Sequence, residues 1–401
     1  LLGPYRRLLA DRGLRRIIAT SLIARLPIGM NSLAITLGLQ TLTGSFATAG
    51  IAASAYLLAV GLQAPIIGRA IDQRGPASVM LPIALAHACA LLGLLVLAHR
   101  TDRVLPLAAL AAVAGFCFPP VSMTVRAMYR KSDLSDEAKQ TAFALEAILM
   151  EICFIVGPLI VSLAAALRQP ALAIAAAALF AAGGVWLFSR SGALVRWGEV
   201  EHAAERHWAG PLTVAAVRRA LVLSLGFGLA IGLLEIAATG YAQSLGRPGL
   251  VGWLFAAMSI TSALAGFAYG AMHFAAPISR HCLLALLWLA GGALLLAQTT
   301  RLEVMLLGCL LAGAGFGPGM AAMNLQLGKL TPSQYSTEAF TWSMTLFMVG
   351  LGSGFLVGGL LIEQVGWPRA MLASAGVFAA SALVCLALPK TWTRDTGAAP
   401  A

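Results

Sequence analysis

Gly68-Arg69-Ala70-Ile71-Asp72-Gln73-Arg74-Gly75 is the stretch on which the reading of this chain turns. It sets three charges between two glycines and separates two long apolar runs. Gly75 has the backbone freedom for a tight turn. Gly68 allows a neighbouring helix to come close, and Asp72 carries a charge suited to the positive N-terminus of another helix. Such an N-terminus is readable at Thr331-Pro332-Ser333-Gln334, a capping-box pattern with Pro at the first helical position.

The runs on either side explain the solvent. Of the 401 residues, 59% are hydrophobic and 11% charged, against roughly 25% charged in soluble proteins. Mean hydropathy is +0.86. These values exclude an ordinary cytosolic enzyme and a disordered chain, and they identify a bilayer as the natural surroundings. The net charge of +11 is scattered in short clusters between apolar runs, so it does not describe a nucleic-acid surface. The six cysteines lie in or beside those runs without C-x-x-C spacing and read as small core or lipid-facing residues. The basic start, Leu1 to Arg16, lacks a small-residue cleavage site, and Ile17 onward reads as a retained first span.

A spanning helix needs about 20 apolar residues. The run from Leu26 to Gly68 is too long for one, and Thr43-Gly44-Ser45 breaks it into a helical hairpin. The whole chain divides into twelve spans, at 17–42, 47–68, 77–98, 104–128, 139–166, 170–189, 217–243, 248–272, 281–299, 303–327, 333–363 and 367–388. Most of the 27 Lys and Arg fall on one side when both termini are inside. This predicts cytoplasmic termini in the cell's inner (plasma) membrane.

An even span number suggests two halves. Residues 190–216, with Arg196, Glu199, Glu201, Glu205, Arg206 and His207, read as a cytoplasmic linker between bundles at 1–189 and 217–401. At an offset of 203, Arg15-Arg16 meets Arg218-Arg219, Ser21 meets Ser224, Gly29 meets Gly232 and Gln40 meets Gln243. Further on, Ala114-Gly115-Phe116 is similar to Ala314-Gly315-Phe316, and Gly157 meets Gly354. Six plus six spans, both halves starting inside, make a parallel repeat.

The stretch at 68–75 resembles the loop signature of the major facilitator superfamily, G-x-[LA]-x-D-[RK]-x-G-[RK]-[RK]. Gly68, Asp72 and Gly75 keep the spacing and Ala70 fits, whereas Gln73 and the pair Pro76-Ala77 depart from it. The resemblance implies an all-α integral membrane fold, twelve transmembrane helices in two pseudo-symmetric six-helix bundles that alternate access. It also implies that Gly68, Asp72, Arg74 and Gly75 form a conformational gate, that the molecule is no enzyme, and that it works as a monomer. Span five carries part of the efflux-antiporter pattern G-x-x-x-G-P-x-x-G-G: Gly157-Pro158 are kept, Cys153 stands for the first Gly, and Val161-Ser162 for the last two. Span four lacks the antiporters' R-x-x-x-G, because Ala111 stands four residues before Gly115. Gly350, Gly354 and Gly358 form a small-residue stripe for close packing or sliding in span eleven.

Charges inside a membrane are functional candidates. Arg25 lies about 13 Å above Arg16 at 1.5 Å per residue. Glu146 and Glu151 lie about 10 and 18 Å above Lys139, and Glu235 about 24 Å above Arg219. Arg25 is therefore placed to pair with a glutamate of span five. The two glutamates point about 140° apart around the helix. Glu151 is favoured as the carboxylate that takes up a proton and faces a substrate cavity, and Glu146 as a structural group. Glu235 reads equally as a substrate or proton site and as an outer-mouth residue. Asn31, Gln63, Tyr241, Asn324, Gln326 and Trp342 are further cavity candidates, each also readable as a packing residue. His87 lies in a span that is peripheral in this family's fold, so no relay role is expected.

The chain has no Walker loop, no metal-ligand spacing and no D-D-x-x-D, H-E-x-x-H or G-x-S-x-G pattern. The expected activity is secondary transport of a small amphipathic or lipophilic molecule, by proton-coupled efflux, with no cofactor beyond the proton gradient. The alternative is proton-coupled uptake or facilitated diffusion of a small organic solute. A membrane-embedded enzyme and a transporter-like sensor are the competing classes; the chain carries no motif for the first, and the linker is too short to hold a signalling domain for the second.

Overall fold

A computed structural model describes residues 10–131, 135–191, 210–272, 276–332 and 335–391. The charged residues of the linker at 196–207 lie outside the described residues. Among the described residues, twelve helices are long and apolar enough to cross a membrane, and they agree closely with the twelve spans read from the pattern. They fall into two compact units, one within Leu1–Ala204 together with Arg247–Trp253, the other within Glu205–Gly246 and Leu254–Ala401.

The first unit holds α1 (Arg12–Thr43), α2 (Phe46–Arg74), α3 (Pro76–Ala98), α4a (Val104–Phe116), α4b (Val121–Lys131), α5 (Asp136–Ala166) and α6 (Ala171–Ser189). The expected hairpin break is built from two caps. Gly44 takes the left-handed conformation, φ 72°, and its N–H bonds to the Gln40 carbonyl. Ser45 then accepts from the Thr48 N–H at 3.0 Å and starts α2. Gly75 also has positive φ, 78°, and Pro76 opens α3 directly after it. The tight turn read at Gly75 is therefore present. At Gly68 a Cβ would meet nothing within 4 Å, so no close helix approach is made there among the described residues.

The second unit holds α7 (Ala215–Ser244), most of α8 (Val251–Ala271), α9 (Ile278–Ala297), α10 (Leu302–Leu330), α11 (Ser336–Val365) and α12 (Trp367–Leu386). Here the capping reading at Thr331 is corrected. Thr331 closes α10 and is extended, φ −94° and ψ 125°, as a residue before proline must be. Its hydroxyl donates back to the Leu327 carbonyl. Pro332 lies in the connection, and α11 starts four residues later at Ser336. Ser333 and Gln334 lie outside the described residues.

Each unit repeats the other's internal pattern. Within the first, α1 packs on α5 and α6, and α3 on α4a and α6; within the second, α7 packs on α11 and α12, and α9 on α10 and α12. The crossing points match in detail. A Cβ on Gly157 would sit 2.8 Å from the carbonyl carbon of Gly29, and one on Gly354 would sit 2.8 Å from the Cα of Gly232. Gly29 with Gly157, and Gly232 with Gly354, are thus backbone-to-backbone contacts between the first and fifth helices of each bundle. The stripe Gly350-Gly354-Gly358 lies on α7, as its packing reading requires. One aligned pair slips. Gly115 packs on the Tyr56 backbone of α2, whereas Gly315 faces Trp288 and Leu289 of α9. Gly313 and Gly317 take the matching place against α8, at Met258 and Ser262.

Span four is interrupted. Cys117 to Pro120 separate α4a from α4b, because Pro119 and Pro120 provide no N–H for the ladder. The chain turns tightly there, with the Phe118 N–H bonded to Gly115 rather than one residue earlier.

Candidate functional site

Arg25 pairs with Glu146, not with Glu151. Its Nη2 donates to Oε1 at 2.9 Å, and Nη1 stands 2.9 Å from Oε2. Both side chains are 1% exposed. Side chains on a helix tilt toward its N-terminus, and the long Arg25 stem carries the guanidinium down α1 to the level of Glu146. Glu151, more than a turn further along α5, points to another side of that helix and is half-buried. Their chain neighbours Ala24 and Leu145 pack in an apolar cluster with Val125, Tyr129, Ala142 and Val185. The second unit has no such pair at the matching place. There the Ser224 and Ser343 hydroxyls are 2.8 Å apart and join α7 to α11.

Glu235 is half-buried in α7 and, like Glu151, has no ion-pair or hydrogen-bond partner for its carboxylate among the described residues. Its backbone carbonyl accepts from Thr239, just as the aligned Ser32 carbonyl accepts from Thr36. The repeat is kept in the backbone, and the carboxylate is an addition to one half.

Most of the other cavity candidates are committed inside their own unit. Asn31 donates through Nδ2 to the Tyr56 hydroxyl at 2.6 Å and lies 3.3 Å from His87 Nε2. The opposite ring nitrogen of His87 lies 2.7 Å from the Ala114 carbonyl. That oxygen can only accept, so Nδ1 carries the proton and Nε2 accepts from Asn31. Gln63 donates to the Phe118 carbonyl at 3.3 Å. Ala114 and Phe118 flank the interruption in span four, and their carbonyls lack helical donors. His87 and Gln63 supply the missing hydrogen bonds from α3 and α2. His87 is fully buried and ring-packed on Phe118, a structural place within its own bundle. The signal was readable: a double proline in a span needs donors nearby.

Tyr241 donates to the Thr300 carbonyl at 3.2 Å and stacks edgewise on Trp367. Gln326 is engaged by the chain after α12. Asn324 is exposed on α10, and Trp342 is half-buried on α11. Of the gate residues, Arg74 is exposed at the end of α2, and the Asp72 side chain lies outside the described residues. Ser162, where the antiporter pattern has Gly, accepts from the Gly252 N–H at 2.6 Å. An open groove of ≈ 490 Å³ between α2 and α4a is lined by apolar groups such as Leu62, Ile66 and Phe116, and none of the charged candidates reaches it. Among the described residues, no three His, Cys, Asp or Glu converge to hold a metal.

Residues 220–401 match the family model described as Major Facilitator Superfamily. Among curated proteins, the chain is 26% identical over 152 residues to plastidic glucose transporter 4 of Arabidopsis thaliana, covering 37% of this chain and 28% of that protein. It is 29% identical over 86 residues to the glucose transporter GlcP of Staphylococcus epidermidis, covering 21% and 19%. The chain thus spans less than a third of the length of these curated relatives. Among solved structures, nucleoside transporter NupG superposes with a TM-score of 0.69 at 16% identity, over 93% of this chain and 98% of that one. The human organic anion transporter MFSD10 gives 0.63 at 18%, over 96% and 100%. An auto-inhibited POT family peptide transporter gives 0.67 at 14%, over 94% and 96%.

Proposed function

We propose that the chain is a secondary transporter of the Major Facilitator Superfamily, whose model residues 220–401 match, and that it moves a small organic solute by alternating access, coupled to protons. The observation that carries the coupling is the division of the embedded carboxylates. Glu146 is neutralised by Arg25, while Glu151 and Glu235 have no partner among the described residues. A carboxylate held in a span without a partner is costly unless it exchanges a proton or meets a ligand. In this reading Glu235 and Glu151 exchange the proton, Arg25 and Glu146 hold α1 to α5, and Asn324 and Trp342 contribute to the solute path.

The bundles at 1–189 and 217–401 rock about the linker at 190–216, and Gly68, Asp72, Arg74 and Gly75 act as the gate. The protein works as a monomer in the plasma membrane with both termini cytoplasmic. Efflux of an amphipathic molecule is the first reading of direction, supported by the partial span-five pattern. Uptake or facilitated diffusion is the second, favoured by the glucose-transporter names of the curated relatives.

Vesicles containing the protein and an internal pH dye test this. The probes are glucose, uridine and the lipophilic cation tetraphenylphosphonium, across an imposed pH gradient. Proton movement that depends on one probe, and is lost in Glu235→Gln or Glu151→Gln, is the expected result. A probe that crosses with no proton movement in the unaltered protein overturns the coupling and leaves facilitated diffusion.

A further inference from the structure

Gln326 was a cavity candidate, yet both ends of its amide are occupied. The side chain is 1% exposed near the end of α10. Its Nε2 donates to the Pro389 carbonyl at 2.9 Å, and its Oε1 accepts from the Thr391 hydroxyl at 2.5 Å. The Thr391 carbonyl in turn accepts the N–H of Ile278, the first residue of α9, at 2.7 Å. α9 has no side-chain cap, because Pro277 stands at its N-cap position. One of its orphan donors is therefore satisfied by chain from beyond the last span. Just before this segment, Arg219 of α7 donates at 2.8 Å to the Ala387 carbonyl, an orphan acceptor at the end of α12. Pro389 has no N–H to continue the helix, and the next residues run across the ends of α9 and α10. All of these residues lie in the second unit.

We propose that Pro389–Thr391 is a strap that clamps the ends of α9, α10 and α12 into one body, with Gln326 as its buried anchor. An amide suits the task because it donates to a carbonyl and accepts from a hydroxyl at once. A carboxylate could only accept, and a hydrocarbon would leave the Pro389 carbonyl without its donor. Arg219 extends the clamp to α7. A motion that bends one of these ends away must first break the clamp. A motion that turns the bundle as a body leaves it intact. The inference holds whatever solute the protein carries.

Hydrogen exchange read by mass spectrometry on the full chain in lipid nanodiscs tests the strap, since exchange reports local opening. Gln326→Leu is expected to speed exchange in the first turn of α9 by about tenfold, the equivalent of one or two hydrogen bonds. Peptides over the α7–α11 crossing are expected to stay unchanged. Thr391→Val removes one hydroxyl at a partly exposed position and is expected to give a smaller rise in the same α9 peptide. An unchanged α9 in Gln326→Leu overturns the clamp. Equal increases at α9 and at the crossing also overturn it, since Gln326 would then be a general core residue. Should Gln326→Leu fail to fold, Thr391→Val decides, and no change in α9 overturns the proposal.

Discussion

The guanidinium of Arg25 meets both carboxylate oxygens of Glu146 at 2.9 Å, with neither side chain more than 1% exposed. Removing one partner leaves the other charge buried without its counter-charge. Glu146→Gln and Arg25→Met are each expected to destabilise the protein by about 3–5 kcal/mol, and Arg25→Met with Glu146→Leu to recover most of that loss. Thermal unfolding in detergent measures the three variants. A double variant no more stable than the worse single one would show that the charges themselves are required.

The paired glycine crossings make a sharper steric prediction. A Cβ at Gly29 would overlap the Cys153 carbonyl, and one at Gly232 the Leu351 carbonyl. These are backbone atoms in close-packed helices, so they cannot move aside without separating α1 from α5 or α7 from α11. Gly29→Val and Gly232→Val are expected to abolish the folded protein, judged by monodisperse yield on size exclusion. Gly68→Ala, with open space at its Cβ, is expected to leave yield and melting temperature unchanged.

These crossings also show how far the pattern could be read. Twelve spans, the break at Gly44 and the Gly29–Gly232 and Gly157–Gly354 matches were all legible, because length, apolarity and glycine reflect local requirements. The partner of Arg25 was not. Rise per residue gave its height, but reach and tilt of the side chain chose Glu146. The partners of Gln326 and His87 were not legible for a related reason. Each bonds a carbonyl whose need arises elsewhere, at Pro389 after α12 and at the interruption before Pro119-Pro120.

That interruption yields a third prediction. His87→Leu removes the donor to the Ala114 carbonyl, and Gln63→Leu the donor to Phe118. Each substitution leaves a buried acceptor unsatisfied and is expected to cost about 1–3 kcal/mol. His87→Leu also strips Asn31 of an acceptor, so it is expected to be the more severe. The two bonds hold opposite sides of one break, and their losses are expected to be non-additive. A double-variant cycle in thermal stability measures the coupling. Strict additivity would show that the two carbonyls are independent.

Glu235 separates stability from activity. Its carboxylate has no partner among the described residues, so neutralising it removes a desolvated charge and breaks no ion pair. Glu235→Gln is expected to melt at the same temperature as the unaltered protein or above it, in contrast to Glu146→Gln, which melts below it. Groups kept for function at a cost in stability behave in this way. In the proton-coupled reading the same variant loses solute-dependent proton movement in vesicles. A Glu235→Gln protein that melts well below the unaltered chain would reveal a stabilising partner for the carboxylate and assign it a structural task. One that keeps both its melting temperature and its proton movement would leave Glu151 as the coupling carboxylate.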